Sequence, residues 1–175
     1  MTIRKKSKAS FPLHGRLLGL DYGTKRFGVA LSNDEQTIAS PLENRTRRSP
    51  EQDGAFLASL ATDYDVVGLV VGLPVHMSGQ EGGKAREARN FGQWAGRVTG
   101  LPVRYFDERY TSLIAEHHLL SAGVSEKKRK ERLDKVAAQV LLQGYLDSTD
   151  RTAAPAALRE AETRPAKTGE QDESP

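Results

Sequence analysis

Four acidic residues stand where this chain could gather them into one site. Asp21 ends the apolar run Leu17 to Leu20 in LLGLDYGTKRFGVALSN, and Asp107 and Glu108 follow a second short run, Val103 to Phe106. Asp134 borders the apolar stripe of Leu133, Val136, Ala137, Val140 and Leu141 in RLDKVAAQVLLQGYLD. Burying a strand requires no charge at its end, so carboxylates at two strand ends call for a reason. Carboxylates brought together repel one another, and the usual remedy is a divalent cation such as Mg²⁺ or Mn²⁺, held by hard oxygen ligands. Each acid also has a purely structural reading. Asp21 can cap the Tyr22-Gly23 turn as an Asx-turn, with Gly23 at positive φ. Asp134, placed in the first turn of its helix, gains about 0.3 to 1 kcal/mol from the helix dipole whatever its function. The set, rather than any single member, points to metal.

The elements that would position these acids follow from periodicity. Leu17 to Leu20 and Phe27 to Leu31 read as adjacent strands, with a third over Thr37 to Glu43, so the domain opens as a β-meander. Ser49-Pro50 supplies a helix cap and a first-turn proline ahead of Phe56, Leu57, Leu60 and Ala61 at helical spacing. Val66 to Val71 is unbroken apolar sequence, as in a strand covered on both faces. Helix over Ala85 to Val98, strand over Val103 to Phe106, helix over Ser112 to Leu120 and helix over Leu133 to Leu146 complete the order. This is an α/β pattern, and strands of such folds end at the edge where ligands collect. Residues 1–15, with Arg4, Lys5, Lys6 and Lys8, and residues 149–175, rich in Ala, Pro, Glu and Thr, lack an apolar face. They are expected to be disordered tails around one domain of residues 16–148.

Composition narrows the function classes. The chain has 175 residues, 37% of them hydrophobic, which suits one domain with a proper core. A net charge of +3 favours a polyanionic partner without establishing one. The absence of cysteine excludes disulfides and thiolate metal sites, and no apolar run approaches membrane-spanning length. A cytoplasmic protein with no membrane partner is expected.

The segments GLDYGTKRFGVALSN, VVGLPVHMSGQEG, YFDERYTS and LDKVAAQVLLQGYLD, in this order and spacing, closely resemble the YqgF or RuvX family of Holliday-junction-resolvase-like proteins and pre-16S rRNA nucleases. The resemblance runs from about Leu17 to Asp147. It implies an RNase H-like fold, a mixed five-stranded sheet flanked by helices, with acids from the first strand, a later strand and the last helix. It also implies a metal-dependent nuclease acting on structured RNA, such as an rRNA precursor with ribosome association, or on branched DNA. The family's acids fall on Asp21, on the Asp107-Glu108 pair and on Asp134. Glu108 is favoured within the pair because resolvase-type relatives carry glutamate there, although strand alternation alone leaves the choice open. The implied chemistry is phosphodiester hydrolysis at a two-metal site held by Asp21, Glu108 and Asp134.

Basic residues near the acids are candidates for holding substrate: Lys25 and Arg26 in the turn after Asp21, Arg109 beside the acid pair, and Lys127, Lys128, Arg129 and Lys130 in the run EKKRKER. Solvated turn cations, an ion pair at Arg109 and a solvated loop over the run are their bland alternatives. The glycines of Gly72-Leu73-Pro74 and the Met77 to Gly82 loop can bring backbone amides to a ligand or simply make turns, and His76 is a loop histidine of either kind. Two rival functions remain open. DYGTKRFGVA also resembles the first phosphate motif of actin-like and sugar-kinase ATPases, which place nucleotide between two such domains. The other rival is a nucleic-acid-binding ribosome-maturation factor that keeps the acids without hydrolysis.

Overall fold

The structure, a computed structural model, describes residues 10–76, 78, 80–108 and 126–152, the last segment without the side chains of 126–135. Its elements are β1 (Arg16–Tyr22), β2 (Arg26–Ser32), β3 (Ala39–Thr46), α1 (Pro50–Asp63), β4 (Val66–Leu73), α2 (Gly83–Thr99), β5 (Val103–Asp107) and α3 (Glu126–Asp147). The sheet order is β3-β2-β1-β4-β5. β1 pairs antiparallel with β2 and β2 with β3, whereas β1 with β4 and β4 with β5 are parallel. This is the expected mixed five-stranded sheet, and it puts the C-terminal ends of β1, β4 and β5 along one edge.

Alternation along the strands sorts the core into two layers. Leu18, Leu20, Phe27, Val29, Leu69 and Val71 face α1 and α2, meeting Leu57, Leu60, Phe91 and Ala95. Leu17, Ala30 and Val70 face α3, meeting Ala138, Leu142 and Tyr145. Full burial of each such Leu or Val contributes about 1.5 to 3 kcal/mol, which commits every strand to its register. α1 starts as its sequence dictates, with Ser49 as N-cap accepting from the Gln52 amide at 3.2 Å and Pro50 in the first turn. Among the described residues no helix is long and apolar enough to cross a membrane.

Several expectations change in detail. β3 begins at Ala39 rather than Thr37, because Asn33 Oδ1 accepts from the amides of Thr37 and Ile38 at 2.9 and 3.0 Å and so takes the donors a strand would need. α3 begins at Glu126, so the run EKKRKER opens a helix rather than forming a loop; its Glu, Lys and Arg are good helix formers although no apolar stripe marks them. Asp134 therefore lies well inside α3, beyond the first turn, and the dipole offers no account of it. Gly23 does not take positive φ; among the described glycines, Gly15 and Gly100 do. A side chain at Gly23 is barred instead by the Arg26 carbonyl. The helix expected over Ser112 to Leu120 lies outside the described residues.

The boundaries of the expected tails also shift. Phe11 is buried, with its ring edge-on to Tyr145 at 6.1 Å. On the other side Arg151 donates to the Gln36 side chain at 3.2 Å and lies over Tyr145. Both residues fall on the tail side of the 16–148 limits yet pack onto the domain.

Candidate active site

Asp21 lies within β1, paired with Gly28 of β2, rather than in a turn. Leu17, Gly19 and Asp21 share the face that α3 covers. On β5 the alternation puts Phe106 on that face, where it meets Tyr145 at 5.8 Å, and Tyr105 on the other, with its hydroxyl donating to the Arg89 carbonyl. Glu108, two residues after Phe106, returns to the α3 face; its amide donates to the Leu73 carbonyl at 3.3 Å and prolongs the β4–β5 ladder. Asp107, level with Leu73, belongs to the opposite face.

Between Asp21 and Glu108 runs β4. The register pairs Leu20 with Val71 and Gly72 with Phe106, so Gly72 is level with Asp21 and next to it. A Cβ on Gly72 would overlap the Glu108 carboxyl. The glycine that sequence left between ligand-facing amides and turn chemistry is instead the clearance through which Glu108 reaches Asp21. The electrostatic result is large: burial first, then the charge of Asp21, a hydrogen bond with it and the charge of Asp107 push the Glu108 carboxyl up to about 8.

Small residues bring α3 to the same place. A Cβ on Gly19 would strike Leu142, and one on Gly28, opposite Asp21, would sit 3.1 Å from the Ala138 Cβ. Two strand residues rise about 6.7 Å and four helix residues about 6 Å, so the two elements keep step as they run antiparallel. One turn before Ala138 on α3, in the direction of the C-terminal end of β1, is Asp134. Gln139 and Gln143 hold this placement by bonding the Ala39 carbonyl and amide of edge strand β3, at 3.0 and 2.8 Å. The side chains of Asp134, Lys127, Lys128, Arg129 and Lys130, and all of Arg109, lie outside the described residues. Among the described residues no group of three His, Asp or Glu is arranged to hold a metal ion.

Basic groups gather at this edge too. Lys25 and Arg26 are exposed where β2 begins, and the Arg47 amide donates to the Lys25 carbonyl at 3.0 Å, which adds Arg47 and Arg48 to the cluster. Arg47 and Arg48 were not singled out from sequence, although a signal existed: cations just before a helix N-terminus oppose its dipole and need another reason to be there. Asp53 fixes that bend by accepting from Arg45 Nε at 3.0 Å and the Arg48 amide at 3.1 Å. His76 is exposed and stands against Gly82, the N-cap of α2, where a Cβ would meet its ring.

Residues 15–148 match the family model RuvX, described as Holliday junction resolvase. A "Putative pre-16S rRNA nuclease" of Rhodopirellula baltica is 42% identical over 147 residues, 84% of this chain and 85% of the relative. A protein of the same name from Cereibacter sphaeroides is 44% identical over 142 residues, 81% of this chain and 89% of its own. Among solved structures, T. thermophilus RuvC in complex with Holliday junction substrate superposes with a TM-score of 0.52 at 17% identity, covering 81% of this chain and 99% of RuvC. That likeness concerns the fold, which is RNase H-like. With three quarters of its length matched by the family model, the chain belongs to the RuvX family.

Proposed function

We propose that the protein is a divalent-metal-dependent endonuclease that hydrolyses phosphodiester bonds in the small-subunit rRNA precursor. The observation that carries the reading is the forced meeting of Asp21 and Glu108 across Gly72, with the Glu108 carboxyl raised to about 8. A fold gains nothing by burying two carboxylates together, whereas a hard cation fits such a donor set and removes the repulsion. Asp21 and Glu108, joined by Asp134 from α3, would hold Mg²⁺ or Mn²⁺. Bound there, the cation supplies an activated water at neutral pH and charge stabilisation for the leaving oxygen. The protein's own part is to fix the carboxylates by the β1 and β4–β5 ladders and to lay the strand across the edge with Lys25, Arg26, Arg47, Arg48 and the basic start of α3; Arg109 completes this set. The names of the relatives favour RNA over branched DNA and a place in ribosome maturation.

Incubating the protein with Mg²⁺ or Mn²⁺ beside rRNA precursor fragments and four-way DNA junctions tests this. Cleavage of the precursor alone is expected; cleavage of the junction alone reassigns the substrate, and tight binding without cleavage in either metal leaves a non-catalytic maturation factor. Two further results are expected. Gly72→Ala displaces the Glu108 carboxyl, the movable end of a side chain, so activity falls about a hundredfold while the melting temperature without metal changes little. Unchanged activity would mean that Glu108 does not act from above Gly72. Replacing Lys127, Lys128 and Lys130 with Gln lowers the log-log salt slope of binding by roughly 2 to 3. This is measured in a chain trimmed to residues 10–152, which keeps Phe11 and Arg151 and drops Arg4, Lys5, Lys6 and Lys8. An unchanged slope would route the substrate away from α3.

A further inference from the structure

The opposite face of the same edge holds a cavity of about 320 Å³ between the start of α1 and the middle of α2. One wall is aromatic: Tyr22 and Phe91 stand 5.2 Å apart, Phe91 and Trp94 5.5 Å. Glu87, Asn90 and Trp94 are spaced by three and four residues on α2 and share one side of it. Glu87 Oε2 accepts from the Tyr22 hydroxyl at 3.1 Å, and Arg47, lying over the Tyr22 ring at 5.4 Å, donates to the same hydroxyl at 3.4 Å. The Asn90 amide is bonded to no other described residue and is exposed at the cavity. Asp53, at the floor, is already neutralised by Arg45 at 3.0 Å.

We infer that this cavity takes one unpaired nucleobase of the substrate strand. The base stacks on Trp94 and Tyr22, Asn90 and Glu87 bond its edge, and Arg47 holds the adjoining phosphate. Two features select a nucleic acid over a protein as the occupant. The cavity begins at Tyr22, the last residue of β1, so a strand that leaves the acids and rounds the C-terminal edge of the sheet reaches it. Arg47 lines the cavity, and the exposed cations Lys25, Arg26 and Arg48 adjoin Arg47 through the chain, the Lys25 carbonyl and the pairing of Arg26 with Thr46, a group complementary to phosphate. Flat aromatic faces with a few edge-bonding groups are the chemistry of single-strand recognition. A base within a duplex is stacked on both faces and paired along its edge, so it cannot enter without being extruded. The inference rests on the nuclease reading and deepens it: the cleaved strand is unpaired beside the scissile bond.

Trp94 is the chain's one tryptophan, so fluorescence excited to the red of tyrosine absorption comes from this cavity's wall alone. In EDTA, where no hydrolysis proceeds, a short unstructured RNA is expected to quench it saturably, and a blunt duplex of the same sequence is not. Trp94→Leu should weaken single-strand binding about tenfold or more without changing duplex binding, and Trp94→Phe should restore most of it. Asn90→Ala, at an exposed position that leaves folding intact, should cost severalfold. Equal quenching by both nucleic acids, quenching by neither, or single-strand binding unchanged in Trp94→Leu and Asn90→Ala overturns the inference. Metal-dependent cleavage with no response at Trp94 would sink the base site and leave the nuclease, whereas quenching without cleavage in any metal would do the reverse.

Discussion

Asp21→Asn is expected to lower hydrolysis by about a thousandfold or more while leaving the metal-free protein at least as stable. A bound cation supplies several kcal/mol of transition-state stabilisation, and each 1.36 kcal/mol is tenfold in rate. Stability should hold because the substitution removes the charge that, together with burial, makes Glu108 keep its proton, and an Asn amide can donate to the Glu108 carboxylate once it ionises. Urea melts in EDTA check the second half. A loss of about 1 kcal/mol or more without metal would mean that the Asp21 carboxylate holds the fold together rather than serving a metal. Glu108→Gln should cost activity on the same scale and Asp107→Asn far less, since Asp107 lies on the α2 face of β5. Equal losses at 107 and 108 would reverse that assignment.

The second large effect is a pH dependence of stability without metal. Glu108 keeps its proton in the folded state up to about 8, against an ordinary value of 4.5. Between those values the folded protein binds one proton more than the unfolded chain, so its stability falls as pH rises, by up to about 1.4 kcal/mol per unit. The contribution is complete below the ordinary value and lost once pH passes the raised one, on the order of a few kcal/mol in all. Glu108→Gln cannot titrate, so its stability should be nearly flat across that window by comparison. Chemical denaturation in EDTA from acid to mildly alkaline pH, wild type against variant, isolates this group from the others. Parallel curves would mean that the two carboxyls do not meet. Because a cation must displace the proton from Glu108, Mg²⁺ affinity should rise with pH towards the raised value.

Much of this was legible in the chain, because it depends on local pattern. The apolar run in LLGLDYG and the unbroken VVGLVV marked the central strands, and Ser49-Pro50 marked the start of α1. The acids at strand ends raised the question of a metal, and four motifs in order named the family. The exact start of α3 was not legible, since helix-forming charged residues carry no apolar stripe to mark them. Nor were Arg47 and Trp94, which belong to elements that meet Tyr22 only in the folded chain.

Among the described residues, the sequence by itself determined the five strands, α1, α2 and the body of α3, their order, and which residues carry charge at the strand ends, because side-chain period and capping act over a few residues. Only the tertiary structure put Glu108, and not Asp107, on the face of the sheet that carries Asp21. Neighbours on a strand always point to opposite faces, and which face holds the site depends on where α3 docks. That docking is set by Gly19, Gly28 and Ala138, whose lack of bulk lets the helix approach, and by the bonds of Gln139 and Gln143 to β3. The same holds for Gly72. Its missing side chain has no meaning along β4 and gains one only when a carboxyl from the neighbouring strand must cross above it to reach Asp21.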